Sequence, residues 1–308
     1  MWCSWGYWIM PKYTGGLITN TEVIPTLSAA SGVWSIQEAL MYQKAGVYPF
    51  PPFSYLSGGV SDLGLFTSGY NTNVLDFVTI SSTGNAADFG DATANKYYVQ
   101  GHGNATRGIT GYGGANGTTT IDYVDFASKG DAADFGDTAT AFGAQRGGGC
   151  GNNTRGVFSG ATASNSNIIE YVTMANLGNG ADFGNLSQAR SRLTATSSAT
   201  RGCFAGGNTA SAAFVDTIDY ITIANTGNAA DFGNLTDSGR TFASAFASAT
   251  RGCFAGGYKD NARNYVDVID YITIANTGNA SDFGNLTAAR ASTAGTSNAH
   301  KRYCRWWR

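Results

Sequence analysis

The chain has 308 residues and a net charge of -2; charged residues make up only 13%, and 42 residues are glycine. That balance excludes a basic nucleic-acid-binding surface as the default and leaves Asn, Thr and Ser to solvate the exterior. Low charge with abundant Gly also fits disorder, but Tyr, Phe, Ile and Val return at fixed places, which requires a packed core.

Residues 1–50 stand outside any repeat. The start, MWCSWGYWIMPK, is apolar and aromatic but has no basic leading segment, and Pro11-Lys12 ends it too early for a membrane span. Neither an ordinary signal peptide nor a transmembrane segment is expected. Ser35-Ile-Gln-Glu38 has capping-box spacing, Ile36, Ala39, Leu40 and Tyr42 follow at helical intervals, and Gly46 can close the end. A helix of about three turns is expected there. Pro49, Pro51 and Pro52 mark the boundary with residues 51–308.

The remainder is organised around one unit. TIDYITIANTGNAADFGNLT at Thr217 returns as VIDYITIANTGNASDFGNLT at Val268, and weaker copies begin at Val74, Thr120 and Ile168. Repetition at this period indicates a solenoid or a propeller. From the first acid of each copy (Asp76, Asp122, Glu170, Asp219, Asp270) to the Asp of the DFG triplet (Asp88, Asp134, Asp182, Asp231, Asp282) the interval is always 12 residues. From Gly64, Gly108, Gly156, Gly202 and Gly252 to that first acid it is 12, 14, 14, 17 and 18. One segment admits no length change and another grows, so one face is expected to be structural and the opposite one free to vary.

Each copy reads as four strands: a small-residue strand such as Leu193 to Ser198, a second such as RGCFAGG at Arg201 and Arg251, a third such as IDYITIA expected to be apolar on both faces, and a short fourth around DFGNLT. Small side chains first and Tyr and Phe later suit blades that converge on an axis and diverge outward. The expected fold is therefore an all-β propeller of five to six four-stranded blades. Ala291 to Arg308 supply two strands of a sixth, and a strand near Leu17 to Ile24 could complete it. All six Trp lie near the chain ends (Trp2, Trp5, Trp8, Trp34, Trp306, Trp307), which suggests that the termini share one aromatic cluster.

The order of a basic residue, a hydrophobic strand ending Gly-Gly, a strand with a central Asp or Tyr and a short outer strand resembles the kelch-type β-propeller, over about residues 53–308. The DFG Phe stands where that family has an outer-strand Trp. More closely, IDYITIANTGNAADFGNLT, TRGCFAGG and SGVWSIQEALMYQKAGVYP (Ser31 to Pro49) resemble repeat proteins of tailed bacteriophages, in virion or tail-fibre-like proteins. The resemblance implies a structural virion protein assembled in the host cytoplasm, held to other virion proteins through the N-terminal segment and able to form a homo-oligomer.

Candidate chemistry is sparse. Two His, His102 and His300, both expected in turns between first and second strands, are too few for a His-rich metal site. The five Cys include no C-x-x-C pair and read as buried thiols. The DFG aspartates, each followed by Gly, read as turn formers rather than calcium ligands. Arg107, Arg155, Arg201 and Arg251 recur at strand starts and read as bridges between blades rather than an anion site. The Gly-rich runs lack a nucleotide-loop context. No catalytic residue, metal or cofactor is therefore assigned.

The recognition candidate is the connection between second and third strands, variable in length and carrying Tyr70, Asn71, Asn116, Asn165, Asn208, Tyr258, Lys259, Asp260, Arg263 and Tyr265. Such side chains can hydrogen-bond and stack on a host-surface glycan or protein; solvent loops are the plain alternative. The functions this leaves are a non-enzymatic virion protein presenting a contact face, a purely architectural capsid or tail component, and, disfavoured by the missing acid/base set, a glycan-processing enzyme.

Overall fold

The structure, a computed structural model, describes residues 13–14, 17–18, 62–67, 71–96, 99–111, 118–142, 147–160, 165–297 and 302–305. The chain divides into two compact units, Met1–Phe53 and Ser54–Arg308. In the first, β1 (Tyr13–Thr14) and β2 (Leu17–Ile18) form a two-stranded antiparallel hairpin. Leu17 and Ile18 thus pair with their own neighbours, and residues 19–24 lie outside the described residues. So do the expected helix at 35–46 and the six tryptophans. Among the described residues no helix is long and apolar enough to cross a membrane.

The second unit is an all-β propeller. Blade one contributes β3 (Leu63–Thr67), β4 (Thr72–Thr79) and β5 (Ala87–Lys96). Blade two holds β6 (Gln100–Gly103), β7 (Arg107–Gly111), β8 (Thr118–Asp125) and β9 (Ala133–Phe142). Blade three holds β10 (Gly148–Gly151), β11 (Arg155–Ser159), β12 (Ser166–Thr173) and β13 (Ala181–Arg190). Blade four holds β14 (Thr194–Ser197), β15 (Arg201–Ala205), β16 (Thr217–Thr222) and β17 (Ala230–Asn234). Blade five holds β18 (Ser244–Ala247), β19 (Arg251–Ala255), β20 (Val268–Thr273) and β21 (Ser281–Asn285). A sixth begins with β22 (Ala294–Ser297) and β23 (Arg302–Arg305). Every blade is an antiparallel meander in chain order. The innermost strands β6, β10, β14, β18 and β22 follow one another side by side, and β22 also lies beside β3.

Outer strands differ from the sequence expectation. β5, β9 and β13 run for 10 residues rather than a few, because pairing resumes past a register shift: Thr72 opposes Lys96, Thr118 opposes Phe142 and Ser166 opposes Arg190. In blades four and five β17 and β21 stop after 5 residues, at Asn234 and Asn285. The third strand is not apolar throughout either, since Asp122, Asp219, Asp270 and Glu170 are fully or nearly buried at its centre.

Those acids are held by the preceding blade. Asp219 accepts the Ser187 hydroxyl at 2.6 Å and pairs with Arg190 at 3.0 Å. Asp122 likewise accepts from Thr93 and pairs with Lys96 at 2.7 Å, and Asp270 accepts from Thr236 and pairs with Arg240 at 2.8 Å. The junction between blades two and three departs from this plan. Phe142 occupies the register place of Lys96 and Arg190, and the longer Glu170 accepts instead from the Ala139 and Thr140 amides at 3.0 and 2.9 Å. Burial pushes the Glu170 carboxyl up, against the pull of the Thr140 and Ala139 donors.

A second lock runs along the constant segment. Gly130, Gly178, Gly227 and Gly278, in the turn after each third strand, donate to Phe89, Phe135, Phe183 and Phe232 O of the preceding blade at 2.7 to 2.9 Å. Asp131, Asn179, Asn228 and Asn279 beside them accept an amide of the same preceding strand. The DFG glycine makes room for this approach: a Cβ on Gly184 would sit 2.4 Å from Gly227 O. The DFG aspartate bonds its own backbone as expected, Asp88, Asp134 and Asp282 each accepting from the glycine amide two residues on, but it does so at a bulge inside an outer strand rather than in a turn. The fixed 12-residue interval is therefore the distance between the two halves of an inter-blade joint.

Gly184→Ala combines that clash with a backbone at φ +142 and should lower unfolding free energy by about 2 kcal/mol or more, whereas Gly284→Ala, which meets nothing within 4 Å, should cost visibly less in the same denaturant titration. Asp219→Asn strands the buried Arg190 and should cost about 3–5 kcal/mol. Glu170→Gln should cost less. The wild type should gain stability relative to it on acidification, because a carboxyl whose folded value is raised contributes below its unfolded range and loses that contribution as pH rises through the folded value.

Candidate functional site

An antiparallel meander places the turns between strands one and two and between strands three and four at one end of every blade. The connections between strands two and three, and the crossovers between blades, fall at the other end. The first end is the constant one. Its turns are capped locally: Asn104 and Asn152 Oδ1 accept the amides of Thr106 and Arg107 and of Thr154 and Arg155, and Ser198 and Ser248 Oγ do the same before Arg201 and Arg251.

At the opposite end, the longest connections are folded rather than free. In blade four Asn208 bridges to Ser191 and to Phe214; in blade five Tyr258 bridges to Thr241 and to Tyr265. Both loops are thereby tied to the crossover entering their own blade. The crossovers carry Arg192 and Phe242 at φ +57 and +55, equivalent places in successive units.

These ties gather an aromatic cluster between blades four and five. Tyr258 stacks on Phe242 with centroids 5.4 Å apart and planes at 19°, and meets Phe214 and Tyr265 edge-on at 6.0 and 6.2 Å. The Arg192 guanidinium lies 5.5 Å from the Phe242 ring. Tyr265 is 52% exposed, and exposed Lys259 and Arg263 precede it in the same loop. Asp260 shapes the loop: its carboxylate accepts the backbone and side-chain N–H of Asn264, and its carbonyl accepts the amide of Arg263, itself at φ +59. The Asn264 donors hold the Asp260 carboxyl below its usual value.

Of the sequence candidates, Tyr258, Lys259, Asp260, Arg263 and Tyr265 come together in this one loop. Asn71 is an exposed turn residue at φ +57. Asn165 is half-buried, its side-chain oxygen without a hydrogen-bond partner among the described residues. Asn208 is buried; its amide donates to Thr209 O and its oxygen lies 3.4 Å from Ser191 Oγ, so it holds the loop instead of presenting a contact. Tyr70 and Asn116 lie outside the described residues. Phe214, Phe242 and Arg192 were missed. Phe242 reads in the sequence as the start of an inner strand, but β18 begins only at Ser244 and Phe242 sits before it with positive φ.

The remaining reactive groups are committed to packing. His102 lies in β6 rather than in a turn, paired across from Ile109. Burial lowers its pKa to about 4, and its Nε2 is 3.0 Å from Asn152 O, so that nitrogen donates its proton to the carbonyl. Cys150, Cys203 and Cys253 are buried, and burial pushes the Cys203 thiol up to about 12. Each repeated arginine lies over the third-strand tyrosine of its own blade, Arg155 at 4.4 Å from Tyr171 for instance. Three of them donate across to the next blade: Arg107 to Met174 O, Arg155 to Ile223 O and Arg201 to Ile274 O. Among the described residues no three His, Cys, Asp or Glu side chains gather in a way that could hold a metal.

The Asp260 bonds exist for the ionised carboxylate. With its pKa held low, their contribution is present above the ordinary carboxylate range and lost as pH falls through the depressed value. The Asn264 amide resonance should therefore titrate with a midpoint below that of the isolated 258–265 peptide.

No family model matches the chain, and no curated protein matches it. Among solved structures, that of YjhT superposes with a TM-score of 0.62 over 80% of this chain and 89% of that chain, at 9% sequence identity. At that identity the likeness shows the β-propeller fold alone.

Proposed function

We propose that the chain is a non-enzymatic structural protein of a bacteriophage virion, in which the loop end of the propeller makes contact with a host-surface glycan or protein. The observation that carries the reading is the cluster of Phe214, Phe242, Tyr258 and Tyr265, with Lys259 and Arg263 in the same loop. Aromatic faces that stack and donors that hydrogen-bond are the ordinary means of gripping a sugar ring or a protein loop, and rigid aromatics do so at low entropic cost. The burial of His102, Cys150, Cys203 and Cys253 in packing supports the non-enzymatic reading, as does the resemblance of the repeat wording to virion proteins of tailed phages.

Replacing residues 258–265 by a Gly-Ser segment should abolish adhesion of the purified chain to susceptible cells while the protein stays folded at a lowered melting temperature, because the aromatic packing of Tyr258 is lost but the DFG joints are untouched. Unchanged adhesion would move recognition elsewhere on the propeller. Absence of adhesion by the intact chain, together with co-assembly with other virion proteins, would favour the architectural reading.

A further inference from the structure

The joint between blades two and three differs from the others in ways that converge on one peptide bond. Ala139 stands where Thr93, Ser187 and Thr236 supply a hydroxyl to the next blade's acid, and Phe142 stands where Lys96 and Arg190 supply a cation. The acid here is the longer Glu170, which reaches to the Ala139 and Thr140 amides instead. Its Oε2 thereby lies 3.1 Å from where a Cβ on residue 180 would be, closer than an ordinary van der Waals contact. The other copies have Ala at that place, as Ala86, Ala132, Ala229 and Ala280, and this one has Gly180. The shortening leaves Asn179 followed by glycine. Of the chain's other Asn-Gly pair, Asn116-Gly117, both residues lie outside the described residues.

An Asn-Gly pair is where a backbone amide most readily attacks the preceding side chain, because no Cβ hinders the glycine nitrogen. Asn179 is exposed, yet both reacting groups are held by one residue of blade two. Asp137 N donates to Asn179 Oδ1 at 3.0 Å, and Gly180 N donates to Asp137 O at 2.7 Å. We propose that Asn179 is a site of spontaneous deamidation, protected while the joint between blades two and three is closed and reactive when it opens. In the open joint the Gly180 nitrogen, its proton lost to hydroxide, bonds to Asn179 Cγ. The Cγ–Nδ2 bond breaks, and the side-chain nitrogen takes a proton from water and leaves as ammonia. Water then opens the cyclic imide at either carbonyl, giving aspartate or isoaspartate at 179. Aspartate fits the joint, since Asp131 accepts the Asp91 amide at 2.9 Å in the equivalent place between blades one and two. Isoaspartate routes the main chain through the side-chain carbon and adds a methylene before Gly180, so Gly180 N no longer meets Asp137 O and the joint cannot close again.

Peptide mapping by mass spectrometry after incubation at mildly alkaline pH reads the site, and an isoaspartyl methyltransferase assay separates the two products. In the folded full-length protein Asn179 should deamidate about tenfold or more slowly than in an isolated peptide of residues 173–185, because only the opened fraction reacts. In urea above the unfolding transition the two rates should converge, and Asn179 should outpace the Asn-Ala sites Asn228 and Asn279. Equal rates in folded protein and peptide, or no excess at Asn179 over those two sites in the unfolded chain, overturns the proposal. Asn179→Asp should melt with the wild type, whereas the isoaspartate fraction purified from aged protein should melt lower. An isoaspartate fraction as stable as Asn179→Asp would contradict the role assigned to the joint. Gly180→Ala should cost more stability in the wild type than in a Glu170→Asp background, and equal costs would mean that Glu170 is not what crowds residue 180.

Discussion

The propeller depends on how closely two backbones come together at each blade junction. The DFG glycine of one blade lies against the turn glycine of the next, with an amide-to-carbonyl bond of 2.7 to 2.9 Å closing the approach. No side chain fits between them, which is why the triplet ends in Gly and why its φ of about +140 is tolerated. The DFG phenylalanine stands edge-on against the third-strand aromatic ring of its own blade, 5.8 to 6.0 Å away in all five blades, and at the four internal junctions the close approach buries it. The buried acid of the next blade then comes within reach of a hydroxyl and a cation on the first.

That joint separates what the chain keeps constant from what it varies. The turns after the third strands are parts of the joint, so an insertion there would break a seam between blades. The connections between second and third strands take no part in it and lengthen freely, and in blades four and five the added residues fold back on the crossovers and collect aromatic rings. The aromatic cluster is a by-product of slack at one end of a wheel that is locked at the other.

The architecture was legible because propeller geometry leaves its mark on side-chain size: small residues in β14, β18 and β22, aromatic rings in the third strands and DFG triplets. The role of the DFG segment was half legible. That Asp134 bonds back near Gly136 could be read from one triplet, but the partner of Gly136 is Gly178, in another unit, and nothing local points to it. The swap of Asp for Glu170 and of a cation for Phe142 is visible in the letters too, yet its meaning requires knowing that the two positions face one junction. At the loop end, Tyr258 and Tyr265 could be singled out for their exposure-prone setting. Phe214, Phe242 and Arg192 could not, because strand bridges at Asn208 and Tyr258 bring them there. His102 was misplaced because Gly-rich flanks read as a turn, whereas at the crowded centre of a propeller they make an inner strand.

Amide hydrogen exchange on the intact protein tests the joint most directly. Gly130, Gly178, Gly227 and Gly278 sit in surface turns, where an unlocked amide exchanges by local fraying. If the junctions hold the wheel together, all four should exchange only through global opening, at the rate of the buried strand amides. Exchange of these four at the rate of open turns, with the strands still protected, would mean that the blades stand independently and that the close approach is not what holds them.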